Sequence, residues 1–326
     1  MSERTDPDIE TMTEIATLYY VHGETQEAIA GRLGMSRIKV GRMLKRAQAE
    51  GIVDVRVRQH PTVSAEIEQA LMQRFGIRRA LIALDHADAE LQRHEVSSLV
   101  ADHLARSLED GAVVAVGMGR NVGTVADNVF TRRTYRCAFI CAIGGSLRAG
   151  EYMNPDHICR RLAAKFGGES ETLYAPAMVA NAALRDAMLD NPTVRQTLDR
   201  ARRADIAMIG VGDLSENSNM VRMGWFSPQE IAEARLSGTV GDMMGYDFID
   251  LHGRPSHTPM QGRVIGLTIG DLARIPEVIA IASESTKAAG ILGALRTGVI
   301  DVLATSATNA HTILHLDDAT RSDAGA

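Results

Sequence analysis

Lysine is almost missing from this 326-residue chain. It occurs four times, at Lys39, Lys45, Lys165 and Lys287, and arginine supplies the rest of the positive charge. Cysteine is equally scarce. Cys137 and Cys141 lie in an apolar run and Cys159 in a helical pattern, which excludes a disulfide framework; none has metal-ligand spacing with histidine. No apolar run approaches the roughly 20 residues that span a bilayer, and no signal peptide is visible. A cytoplasmic protein without a membrane partner is expected. Internal repeats and low-complexity segments are missing too. So are two nucleotide signatures. Gly117 and Gly119 lack the correctly placed third glycine and the ribose-binding acid of a dinucleotide fingerprint, and there is no Walker loop. Neither a cofactor nor a metal is expected.

What is present is 45% hydrophobic residues, enough for a sizeable core, in a length that suggests two domains or a little more. The net charge is −6, unlike that of a protein whose whole surface binds nucleic acid. Its distribution is uneven. Residues 31–60 hold eight basic and two acidic residues, and residues 1–30 hold one basic and seven acidic ones. A basic patch on an acidic body binds phosphate at one face and repels it elsewhere.

That patch coincides with TQEAIAGRLGMSRIKVGRMLKRAQA, residues 25–49. Ile29, Ala30 and Leu33 suit the buried side of a first helix. Gly34 suits a turn with positive φ, and Ser36 an N-cap. Val40, Met43, Leu44 and Ala47 then recur at helical spacing. The pattern is that of a helix-turn-helix, whose second helix enters the DNA major groove. Arg37, Arg42 and Lys45 are expected toward the bases, and Lys39 and Arg46 on phosphates; Gln26 and Ser36 complete the candidate DNA-binding set. A preceding helix is expected from about Asp8 to Val21, broken by Gly23. After Gly51, residues 52–58 alternate with period two. They read as the wing of a winged helix with Arg56 and Arg58 on phosphates, or as a plain edge strand.

Pro61 marks a boundary. Residues 63–75 form an amphipathic helical pattern with Ile67, Leu71 and Phe75 at four-residue spacing, and linker and dimer contact both remain open for it. From Arg79 the pattern changes to short apolar runs separated by helices: residues 80–84, 112–116, 138–143, 206–211, 278–282 and 302–305. Continuous apolar strands of this kind argue an α/β fold with a doubly wound, mostly parallel sheet covered on both faces. The expected organisation is a DNA-binding domain over 1–58, a linker helix over 59–78, an effector-binding domain over 79–318 and a disordered tail over 319–326.

Ligands of such sheets bind outside the carboxyl ends of the strands. The runs lead into Gly117-Met118-Gly119-Arg120-Asn121, Gly144-Gly145-Ser146, Gly212-Asp213 and Ser283-Glu284-Ser285-Thr286-Lys287. The first suits a phosphate cradle at a helix N-terminus, with Arg120 adding charge; alone, such a loop is also an ordinary sheet-to-helix turn. Lys287 opens a helix, where acids are normally favoured. A bound anion or the Glu284 carboxylate would account for it, as would simple solvation. Asp247 and Asp250, in YDFIDLHG, suit sugar hydroxyls. Metal ligation would need a third acid or histidine at convincing spacing, and none stands out.

Taken together, YYVHGETQEAIAGRLGMSRIKVGRMLKRAQAEGIV, VAVGMGRNV, AIGG, LYAPAMV, ADIAMIGVGDL, GTVGDMMGYDFIDLHGRP, IPEVIAIASESTKAAGILGALRTGVIDVLATS and NAHTIL carry a resemblance. The chain resembles the SorC/DeoR-type transcriptional regulators from about Tyr19 to Leu316. The resemblance implies an effector domain like the sugar-phosphate isomerase/deaminase fold and assembly into dimers or tetramers. It implies that Gly117, Gly119, Arg120, Asn121, Gly144 and Gly145 line the pocket, with Asp250, Glu284 and Lys287 approaching the ligand. Arg120-Asn121 departs from the family's common threonine or serine near the phosphate. The function expected is a DNA-binding regulator of a carbohydrate or polyol operon, not an enzyme. Its partners would be double-stranded operator DNA, a sugar, polyol or sugar-phosphate effector, and further copies of itself. The alternative is a sugar-phosphate isomerase or deaminase fused to a DNA-binding module.

Overall fold

The computed structural model describes residues 7–53, 64–131, 133–216, 218–245, 247–256 and 262–323. The chain divides into two compact units, Met1–His60 and Pro61–Ala326.

The first unit is helical. A helix over Pro7–Ala16 continues as a π-helical turn over Thr17–Val21, and helices follow at Gln26–Leu33 and Arg37–Ala49. Local chemistry sets their limits. The Thr25 hydroxyl accepts from the Ala28 N–H and the Ser36 hydroxyl from the Lys39 N–H, each at 3.2 Å, so both helices start on side-chain caps. Gly34 ends the first of them at φ +64, in the left-handed region that glycine enters without Cβ strain. Met12, Ile15, Ile29, Ala30, Val40, Met43, Leu44 and Ala47 close the core. Ile52 and Val53 pack against it without forming a strand. The rest of the expected wing, including Arg56 and Arg58, lies outside the described residues.

Among the described residues, the second unit has nine strands: β1 (Arg79–Ala83), β2 (Val113–Val116), β3 (Ala138–Cys141), β4 (Glu169–Glu171), β5 (Ile206–Asp213), β6 (Thr239–Met243), β7 (Asp247–Asp250), β8 (Glu277–Ile281) and β9 (Val302–Ser306). The sheet order is β1-β9-β8-β5-β2-β3-β4, all parallel, and the β6–β7 hairpin adds antiparallel to the end of β5. Successive strand side chains point to opposite faces. Phe139, Ile140 and Cys141 are all buried, as are Val278 to Ile281, so both faces are covered. This is the expected α/β architecture, and the six apolar runs fall on β1, β2, β3, β5, β8 and β9.

Two expected boundaries change. The helix over Ala65–Phe75 is not a free linker. Leu71 is fully buried in the main core, and Arg74 pairs with the buried Asp317 at 3.1 Å. An amphipathic stripe ending in Phe75 finds its partner within the same unit. Residues 319–323, expected in a disordered tail, belong to the last helix, Ala307–Asp323, with Arg321 paired to Asp317 at 2.7 Å.

Candidate functional site

A cavity of about 220 Å3 opens where the carboxyl ends of β2, β5 and β8 meet. Here the strand order reverses. From β2 the chain moves outward to β3 and β4, whereas from β5 the next strands of the parallel sheet, β8 and β9, lie on the opposite side. A crevice at such a switch point is the usual ligand site of an open α/β sheet.

Three strand-to-helix turns furnish its charge. After β2, Gly119 (φ +111) starts the helix Arg120–Asn128, which has no side-chain cap. Gly119, Arg120, Asn121 and Val122 line the cavity, and the buried Nε of Arg120 has no hydrogen-bond partner among the described residues. After β8, Glu284 and Lys287 enter the cavity and pair at 2.9 Å. Asn121 donates to Glu284 Oε2 at 2.8 Å and accepts from the Ser283 hydroxyl at 2.7 Å. The buried Arg93 guanidinium stands 3.8 Å from the other Glu284 oxygen. Burial by itself would push the Glu284 carboxyl up. The Lys287 ammonium, its hydrogen bond and that of Asn121 outweigh burial and hold the carboxyl at about 2. Lys287 is thus a half-buried ion-pair partner and not a solvated surface lysine.

At the end of β5, Asp213 accepts the Thr286 hydroxyl. Asp242 of β6 stands opposite the neighbouring Gly212 and is only 1% exposed. Its Oδ2 has no hydrogen-bond partner among the described residues. Burial raises this carboxyl to about 7, against the pull of the Gly245 N–H and Lys287. Gly212 makes room for it: a Cβ there would fall 2.0 Å from Asp242 Oδ2. Most of the remaining wall is apolar, with Met118, Met153, Met220, Met223, Met244 and Trp225, and Ser215, Ser218 and Asn219 add polar groups.

Of the effector residues expected from the sequence, Gly119, Arg120, Asn121, Glu284 and Lys287 converge here. Gly117 lies just behind, its backbone bonded to Met208 of β5. Gly144 and Gly145 do not line the cavity. The chain after β3 pairs with other segments through the bridges Ile143–Gly266 and Gly145–Pro176, and a Cβ on Gly144 would meet Ala175 O at 2.6 Å. Close backbone packing explains Gly144. Asp250 is likewise outside the lining: its Oδ1 accepts the N–H groups of His252 and Arg254, each at 2.8 Å, and so staples a turn. Asp247 accepts the Ile269 N–H at 2.6 Å, and burial raises it to about 6. Sequence reading missed Asp242, Trp225 and the methionine wall. Gly212-Asp213 was visible as a strand end but not as a site. Among the described residues, no group of three or more His, Cys, Asp and Glu side chains could hold a metal.

In the first unit, Arg37, Lys39, Arg42 and Lys45 are exposed on the second helix of the motif. Arg46 is exposed too, but it is paired to Asp8 at 2.9 Å and Glu50 at 2.5 Å. Ser36 is occupied as a cap. Gln26 is half-buried, its Oε1 beside Gly41, where a Cβ would come within 3.2 Å.

The sugar-binding domain family matches residues 59–315. A crystal structure of such a domain from a Vibrio fischeri transcriptional repressor is 50% identical, covering 78% of this chain and all of that one, with TM-score 0.73. The full-length sorbitol operon regulator SorC from Klebsiella pneumoniae is 26% identical, covering 95% of this chain and all of that one, with TM-score 0.77. The erythritol catabolism regulatory protein EryD of Brucella abortus is 26% identical over 311 residues, 95% of this chain and 98% of that one. These relatives are regulators and not enzymes, which agrees with the regulator reading and sets aside the isomerase or deaminase alternative.

Proposed function

Because this chain belongs to the family of transcriptional regulators with a sugar-binding domain, we propose that it controls a carbohydrate or polyol operon through an effector bound at the β2–β5–β8 crevice. The observation that carries this is the convergence of Arg120, Asn121, Asp213, Asp242, Glu284 and Lys287 on one cavity. Carboxylates accept pairs of hydroxyl hydrogen bonds, a protonated Asp242 also donates one, and the uncapped helix start with Arg120 suits an anionic group. Sugars, polyols and sugar phosphates all fit that chemistry. The relatives named for sorbitol and erythritol make polyols and their phosphates the first candidates.

Arg37, Arg42 and Lys45 face the bases of operator DNA in this reading, with Lys39 on phosphate. One such motif makes few contacts, so the protein acts as a dimer or tetramer on a two-fold operator. It works in the cytoplasm, where that DNA is; among the described residues no helix is long and apolar enough to cross a membrane. The effector regulates by binding one arrangement of subunits more tightly than another.

The test is operator binding by fluorescence anisotropy, with and without each candidate effector. Lys287→Ala should abolish the effector's influence while leaving effector-free binding intact. Undiminished effector potency in that variant would place the site elsewhere.

A further inference from the structure

The helix Arg37–Ala49 buries Val40, Met43, Leu44 and Ala47. Helical spacing puts Ile38, Arg42 and Lys45, at i, i+4 and i+7, along the opposite line. Ile38 is 83% exposed and is the one apolar side chain larger than alanine that this helix leaves unburied. It contributes nothing to the core of its unit. A β-branched residue is also a poorer helix former than the lysine or arginine found around it. Its neighbours Arg37, Lys39, Arg42 and Lys45 are all exposed cations. An apolar group ringed by cations gains from desolvation only where an anionic partner presents an apolar spot. A DNA major groove meets both demands. Its phosphates match the cations, and the thymine 5-methyl is the apolar feature among its base edges.

We propose that Ile38 is a specificity-determining residue that packs on a thymine methyl in the major groove, one helical turn before the base contacted by Arg42. The proposal rests on the DNA-binding reading above and adds to it a base identity at one operator position.

The experiment uses the full-length protein and the duplex it selects from a random pool. Each thymine of the selected site is replaced in turn by 2′-deoxyuridine, which keeps the base pair and removes only the methyl. Demethylation at one thymine per half-site should weaken wild-type binding about threefold to tenfold, the scale of one buried methyl contact. The same replacement should cost Ile38→Ala nothing and Ile38→Val an intermediate amount. Ile38 is solvent-exposed, so these variants keep the fold, which circular dichroism checks. A penalty that persists in Ile38→Ala, or tolerance of uridine at every position, overturns the proposal. So does an Ile38→Ala variant with altered oligomeric state and unchanged uridine penalties, which would put Ile38 between copies of the chain. Failure to enrich any sequence would instead overturn the DNA-binding reading, and this proposal with it.

Discussion

Replacing Asp242 by asparagine removes a proton that folding takes up. The Asp242 carboxyl titrates at about 7 in the folded chain, against 3.8 for an ordinary aspartate. Its cause is burial beside Gly212 with one oxygen unpartnered among the described residues. Below about pH 4 both states are protonated and the group is neutral in the balance. Between about pH 4 and 7 the folded state keeps a proton that the unfolded chain has lost, so stability falls as pH rises. The slope is about 1.4 kcal/mol per pH unit, and the loss levels off at about 4 kcal/mol once the folded carboxyl ionises. Asparagine does not titrate. From about pH 5 to about pH 8, the variant should therefore gain about 3 kcal/mol relative to wild type. Asp247 titrates in both proteins, but its charge is one of those that raise Asp242, so its contribution cancels only in part. A constant offset of about 1–3 kcal/mol is expected from an amide with an unmatched donor, and it does not bear on the argument. Urea denaturation across that pH range measures the effect. Trp225 is the chain's only tryptophan and lines the same cavity, so its fluorescence reports on the right unit. A wild-type-minus-variant difference that stays flat with pH would refute the assignment of Asp242 as a neutral carboxyl.

Two further perturbations test the body of the fold. Asp317 is fully buried and holds Arg74, Arg296 and Arg321 at 3.1, 2.6 and 2.7 Å; Asp317→Ala should cost about 3 kcal/mol, the lower end for breaking a buried pair because Arg321 is largely exposed. Thermal melts measure it, and an unchanged midpoint would show that the guanidinium groups resolvate freely. Gly123 lies in the cavity helix with its Cα facing Tyr152, where a Cβ would fall 2.0 Å from the carbonyl oxygen. Gly123→Ala should destabilise by about 1–3 kcal/mol through forced backbone movement, and a wild-type urea midpoint would contradict that packing.

The helix-turn-helix was legible because its determinants are local. Thr25, Gly34 and Ser36 cap or break helices within three or four residues of themselves, and the spacing of Val40, Met43, Leu44 and Ala47 defines a face without reference to the rest of the chain. The central strands were legible for a related reason: burial on both faces leaves an unbroken apolar run. β4, with the sequence Glu-Ser-Glu, has no such run, and the β6–β7 hairpin mixes apolar residues with glycine and aspartate, so neither reads as an apolar strand. The hairpin is what carries Asp242.

Residue order was enough to show that several Gly-rich or charged turns follow strands, and that Lys287 is electrostatically out of place at a helix start. It could not show which turns meet. That depends on strand order, set by non-local pairing. β2, β5 and β8 are neighbours, so Arg120, Asn121, Asp213, Glu284 and Lys287 share a cavity. β3 lies one strand outward and its turn is closed by Pro176 and Gly266, which takes Gly144 and Gly145 out of the site. Asp242 completes the site only because β6 folds back antiparallel on β5. Its raised carboxyl follows from that burial, a property of the packed sheet that no stretch of chain contains.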